Sequence, residues 1–197
     1  MQNKNSIYSE LVGKEIDAIK NIPVNRVGDI IGAITRTLDG GRIITSGMGK
    51  AGHVANSFST TLSSTGTPSY FLHPSEAQHG DIGLISKGDV VVIFSNSGKT
   101  KEIHELITLI HKLEKNIYIF GIVGQANEFI CLNCADYVEF GNVDEICPLG
   151  LTPTTSTTCM SVICDLIVVG LMKHNNFTKL EYSKLHHAGY LGEKSRS

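Results

Sequence analysis

The segment "DVVVIFSNSGKTKEIHELITLIHKLEK", residues 89 to 115, narrows the possible folds more than any other part of the chain. Residues 90 to 94 are an unbroken apolar run, the pattern of a strand buried on both faces of a parallel sheet. Residues 100 to 115 put Ile103, Leu106, Ile107, Ile110 and Leu113 along one face of an amphipathic helix. Between the two stand small polar residues, a glycine and Lys99. Such residues give up packing area and leave hydroxyls and backbone N–H groups for something rich in hydrogen-bond acceptors.

The alternation continues on both sides. "RIITSG" (42–47), "SYFL" (69–72), "IYIFGIVG" and "DYVEF" read as further strands, with "MGKAGHVANSFSTTLSSTG" as a helix between the first two. "ANEFICLNCA" is a helix or turn, "HPSEAQHGDIGLIS" a polar connection with a short helix, and "TPTTSTTCMSVICDLIVVGLMKHN" a long buried helix. Before the first strand, Ile7, Leu11, Ile16, Ile19 and Ile22, then Val27, Ile30, Ile31, Ile34 and Leu38, recur at near-helical spacing around Pro23, which separates two helices or kinks one. Strands alternating with helices at these lengths predict an α/β protein with a doubly wound parallel sheet and right-handed crossovers.

Of 197 residues, 41% are hydrophobic, enough for one substantial core. A net charge of −2 excludes the basic character of a general nucleic-acid binder. The start lacks the basic-then-apolar pattern of a signal peptide, and the run 159–172 is short for a membrane span and carries Asp165, so a cytoplasmic protein off the membrane is expected. The five cysteines include a CxxC at Cys131 and Cys134, without a second ligand pair at zinc spacing, so they read as packing residues.

Ligands of open α/β sheets sit at the carboxyl ends of the strands, and three loops there are unusual. "SGMGKAG" (46–52) offers Ser46, Gly47 and Gly49 before a helix N-terminus, where backbone can approach an anion. A tight structural turn is its plain alternative. "SNSGKT" offers Ser95, Asn96, Ser97 and Thr100, whose successive N–H groups suit a nest for oxyanions; simple helix capping explains one hydroxyl but not three. "LTPTTSTT" (151–158), with Thr154, is a third hydroxyl-rich helix start, either beside the ligand or merely capping. No acidic cluster stands by to hold Mg²⁺, so a phosphorylated metabolite fits better than a nucleoside triphosphate.

The segments "SGMGKAGH", "TGTPSYFLHPSEAQHGDIG", "VIFSNSGKTKEI", "CPLGLTPTTSTT" and "HHAGYLG" together resemble the sugar isomerase (SIS) domain, and within it the arabinose-5-phosphate isomerases. The resemblance implies a three-layer α/β/α sandwich with a five-stranded parallel sheet. The expected layout is one domain over 1–197, with N-terminal helices at 5–38, sheet and phosphate loops at 42–175, and a C-terminal active-site segment at 180–192. It also implies a cytoplasmic homotetramer, no cofactor or metal, no nucleic-acid or membrane partner, and interconversion of ribulose 5-phosphate and arabinose 5-phosphate on the way to Kdo.

Carried over by position, the functional residues fall on Lys50, His79, Glu102 and His186, and the phosphate contacts on Ser95, Asn96, Ser97 and Thr100. His186 and Glu102 would move protons in an order left open, Lys50 would neutralise an oxygen or the phosphate, and His79 would assist ring opening or relay. His53, His73, His104, His111 and His174 stay structural. The family's His-Pro-Gly-Gly is His186, His187, Ala188 and Gly189 here, and longer relatives continue into CBS domains, so a free-standing isomerase domain is expected. Another sugar phosphate as substrate, or a non-catalytic phosphosugar sensor, are the competing functions.

Overall fold

The computed structural model describes residues 4–38, 40–113 and 115–196. Residues 1–3, 39, 114 and 197, which fall within the expected span, lie outside these. Five parallel strands, β1 (Ile43–Gly47), β2 (Ser69–Phe71), β3 (Val90–Ser95), β4 (Tyr118–Val123) and β5 (Asp136–Glu139), form a single sheet in the order β2-β1-β3-β4-β5.

The strands that read as apolar on both faces are covered on both faces. Along β3, Val90, Val92 and Phe94 point into one core and Val91 and Ile93 into the other. The first core is closed by α2 (Val24–Thr37), α3 (Gly49–Ser64) and α7 (Thr155–His174), through Ile30, Ile34, Phe58, Leu62, Met160, Ile163 and Ile167. The second is closed by α4 (Pro74–Ala77), α5 (Lys101–Lys112) and α6 (Glu128–Asn133), through Ala77, Ile103, Leu106, Ile107 and Ile130. Each such aliphatic side chain contributes about 1.5–3 kcal/mol when fully buried, so the two layers hold the sheet between them.

Register at the start of β1 and β3 is fixed by an ion pair between the buried Asp89 and the partly exposed Arg42. Asp89 accepts from the Arg42 backbone N–H at 2.7 Å, the Arg42 guanidinium at 2.9 Å and the Ser86 N–H at 2.9 Å. Because β1 pairs with β3 in step, Ile43 with Val90 through Gly47 with Phe94, the two strands end side by side.

Pro23 separates α1 (Lys4–Lys20) from α2. α1 forms the helix its apolar spacing predicts and leaves Ile7, Tyr8, Val12 and Ile16 exposed. α7 is longer than its most apolar stretch, and among the described residues it is the one helix long and apolar enough to cross a membrane; here its Cys159, Met160, Ile163, Ile167 and Leu171 are buried in the first core. The C-terminal stretch forms α8 (Lys179–Leu185) and α9 (Gly189–Arg196), with a Thr178–Glu181 capping box opening α8.

Candidate active site

From β1 the chain crosses to β2 on one side and returns to β3 on the other. The crevice beyond the carboxyl ends of strands at such a reversal is where open α/β sheets bind ligands. A cleft of about 340 Å³ lies there. The turn after β1 supplies Met48, Gly49, Lys50 and Ala51, the loop after β3 supplies Ser95, Asn96, Ser97 and Thr100, and the start of α7 supplies Pro153, Ser156, Thr157 and Met160.

Local sequence explains why backbone comes so close to the cleft. α3 begins two residues after β1, and its first turn presses onto the strand end, so a Cβ at Gly52 would collide with the Gly47 carbonyl oxygen. Neither Met48 before α3 nor Thr100 before α5 makes a side-chain capping bond, so the first-turn N–H groups have no side-chain acceptor, although that of Ile103 donates to the Thr100 carbonyl at 3.1 Å. Instead of capping, the Thr100 hydroxyl lies 2.8 Å from that of Ser95, and the Lys99 N–H donates to Ser97 Oγ at 3.2 Å. Hydroxyls after β3 and Lys50 after β1 line the same cleft, a combination whose chemistry suits an anion.

The sequence-predicted residues divide into four groups. Gly49, Lys50, Ser95, Asn96, Ser97 and Thr100 share the cleft. Ser46, Gly47 and Thr154 support it without lining it: Ser46 is fully buried with its hydroxyl donated to the Leu72 carbonyl at 2.6 Å, Gly47 is held beneath Gly52, and the Thr154 hydroxyl is donated to Glu145 at 3.0 Å. Glu102 is in the first turn of α5, half-buried, and His79 is exposed on the segment after α4. Gln78 Nε2 donates to Glu105 of α5 at 2.8 Å, which ties the segment bearing His79 to the helix bearing Glu102.

His186 stands apart. Its ring stacks on Tyr182 at 3.7 Å, Tyr182 meets Phe177 edge to face, and Phe177 lies against Gly66 just past the far end of α3. Its neighbour Leu185 lines a different groove, along α3 and the β2 edge with Ser59, Ser63 and Tyr70.

Two site features escaped the sequence. Glu145 caps α7, accepting from the Thr154 N–H at 2.6 Å, the Ser156 N–H at 3.3 Å and the Ser156 hydroxyl. Burial pushes its carboxyl up, but the bonds from Ser156 and Thr154 more than offset this and hold it below the ordinary carboxylate range. An acid nine residues before a hydroxyl-rich helix start was the available signal. His104, set aside as structural, bonds through Nε2 to the Gly98 carbonyl at 2.6 Å.

The cysteines are all free. Burial, then the neighbouring Cys131, pushes the Cys134 thiol up to about 12, whereas N–H groups of Thr152 and Leu151 draw Cys147 down to about 7. Among the described residues no group of three or more His, Cys, Asp or Glu could hold a metal ion.

Comparison with known proteins extends this geometry. The sequence profile of the SIS domain matches residues 38–170. The arabinose 5-phosphate isomerase KdsD of Pseudomonas aeruginosa is 38% identical over 196 residues, covering 98% of this chain and 60% of that protein, so the chain spans well under the full length of this curated relative. A solved protein of Bacteroides fragilis, assigned as a phosphosugar isomerase involved in capsule formation, is 44% identical with a TM-score of 0.91, covering 95% of this chain and 100% of the other. An Escherichia coli CFT073 protein solved in complex with arabinose 5-phosphate is 30% identical with a TM-score of 0.85, again covering 95% and 100%. The chain belongs to the SIS domain family.

Proposed function

We propose that this chain is an aldose–ketose isomerase interconverting D-ribulose 5-phosphate and D-arabinose 5-phosphate through an enediolate. The observation that carries the proposal is the cleft at the β1/β3 reversal, whose wall is shared by Ser95, Asn96, Ser97, Thr100 and Lys50. Similarity to arabinose 5-phosphate isomerases, and to a protein holding arabinose 5-phosphate, supports the choice of sugar.

The phosphate lies in the cradle formed by the uncapped start of α5 and the Ser95, Ser97 and Thr100 hydroxyls. Lys50 neutralises the oxygen that gains charge as a proton leaves C1 and another arrives at C2. The isomerisation is redox-neutral, C1 being oxidised as C2 is reduced, so no external oxidant takes part. Glu102 and His186 carry the protons and His79 helps open the ring or relays. His186 is held at the far end of α3 by its stack on Tyr182, so it serves the cleft of another copy within a homotetramer. The exposed Ile7, Tyr8, Val12 and Ile16 of α1, and Leu166 and Val169 of α7, support such an assembly. In this proposal the protein works in the cytoplasm and its product feeds Kdo formation for surface polysaccharide.

The test is to supply ribulose 5-phosphate to the purified protein in D₂O and follow the sugar by NMR. Arabinose 5-phosphate should form with one deuterium at C2, and Glu102→Ala and His186→Ala should each lower kcat by roughly a hundredfold or more. Binding of the sugar without interconversion would leave a sensor and remove the enzyme.

A further inference from the structure

The β3–α5 loop is held in shape from behind. Gly98 has φ +65°, and a Cβ there would collide with the Gln125 carbonyl oxygen, so loop 96–99 lies flat on the turn after β4. The Gln125 N–H donates to the Asn96 carbonyl at 2.9 Å. The Gly98 carbonyl accepts twice, from Asn127 Nδ2 at 3.0 Å and from His104 Nε2 at 2.6 Å. A carbonyl only accepts, so His104 carries its proton on Nε2. Its ring is fixed by near-parallel stacking on Phe129, with centroids 4.1 Å apart.

Across a trans peptide, C=O and N–H point in opposite directions. Pulling the Gly98 carbonyl toward His104 and Asn127 therefore turns the Lys99 N–H the other way, where it donates to Oγ of Ser97, a residue of the cleft wall. We propose that His104 is a positioning residue: by holding the Gly98 carbonyl it keeps the Lys99 N–H on Ser97 Oγ, and so orients the Ser97 hydroxyl, which lines the cleft, toward an oxyanion. Asn127 is its partner and also caps α6 through Oδ1 at 3.0 Å. The inference rests on the proposal that this loop binds the substrate's phosphate.

Two variants separate the hydrogen bond from the packing. His104→Phe keeps an aromatic ring against Phe129 and loses the donor; His104→Gln places an amide N–H near the position of Nε2. Inorganic phosphate binding is measured by calorimetry, alongside KM and kcat for arabinose 5-phosphate and the thermal midpoint. His104→Phe should weaken phosphate binding and raise KM by roughly tenfold with kcat changed less than twofold, and His104→Gln should recover most of the loss.

Unchanged phosphate affinity in His104→Phe, or equal losses in both variants, overturns the proposal. So does a fall in kcat at constant KM, or a wild type that binds no phosphate. A wild type that binds phosphate but does not turn over the pentose phosphates ends the isomerase function alone. The calorimetric comparison then still decides the role of His104.

Discussion

The hydroxyls of Ser95 and Thr100 meet at 2.8 Å across the mouth of the β3–α5 loop. Ser95 is buried at the strand end and Thr100 stands immediately before the helix, yet neither caps it. Of the two O–H groups, one is used within the pair, and the other remains to donate to whatever enters the cleft.

Replacing Thr100 with valine keeps the shape and deletes the hydroxyl, leaving Ser95 without this partner. Stability should fall by about 1 kcal/mol, and KM for ribulose 5-phosphate should rise about tenfold. Urea denaturation and initial rates measure the two effects. A variant with wild-type KM would separate this hydroxyl pair from the ligand.

Gly52 fixes how closely α3 approaches β1. In Gly52→Ala the new methyl meets the Gly47 carbonyl, which is backbone and cannot swing aside. The helix must shift, moving Gly49 and Lys50 relative to the β3–α5 loop. We expect a loss of about 1–3 kcal/mol and a drop in kcat/KM out of proportion to it. Destabilisation without a drop in kcat/KM would mean that the position of α3 is irrelevant to the chemistry.

Much of this was legible because the sheet is covered on both faces. The unbroken run at 90–94 announced a central strand, and the structure buries its side chains alternately in two cores. The hydroxyl-rich loop end pointed to Ser95, Asn96, Ser97 and Thr100, the family resemblance to Lys50, and all five line one cleft. What stayed hidden depends on distance in space. No spacing says that Ser46 donates to Leu72, twenty-six residues on, or that Glu145 folds back onto Ser156. The apolar spacing of α1 marks a face to be covered, but periodicity is silent on what covers it, and Ile7 and Ile16 are exposed. The segment at 186 to 192 reads as part of the site, but its place is set by Tyr182 and Phe177, beyond the far end of α3.

Cys147 lies in the turn before α7, with its sulfur accepting the N–H groups of Leu151 at 3.3 Å and Thr152 at 3.2 Å. Those donors favour the thiolate and bring its pKa to about 7, while burial holds Cys134 at about 12 and Cys159 at about 11. Alkylation by iodoacetamide at pH 7.5, followed by peptide mass spectrometry, should label Cys147 well before Cys134 or Cys159. Its rate should reach half of its plateau near pH 7. A midpoint at the ordinary thiol value would show that the two N–H bonds are not made in solution.

Glu145 makes the start of α7 sensitive to acid. Its carboxylate accepts from two backbone N–H groups and from the hydroxyls of Thr154 and Ser156, and these bonds outweigh its burial and lower its pKa. A depressed carboxylate adds stability that is fully present above the unfolded pKa and fades as pH falls through the lower, folded one. Glu145→Gln keeps one acceptor oxygen but no charge, and its amide nitrogen faces donors it cannot accept from. At pH 7 the variant should be less stable by about 1–3 kcal/mol, and the gap to wild type should narrow as the solution is taken below the ordinary carboxylate range. Denaturant midpoints at several pH values measure this directly. Because Ser156 and Thr157 also line the cleft, the loosened helix start should raise KM at pH 7 as well. A gap that stays constant with pH would mean that charge at Glu145 plays no part in holding α7.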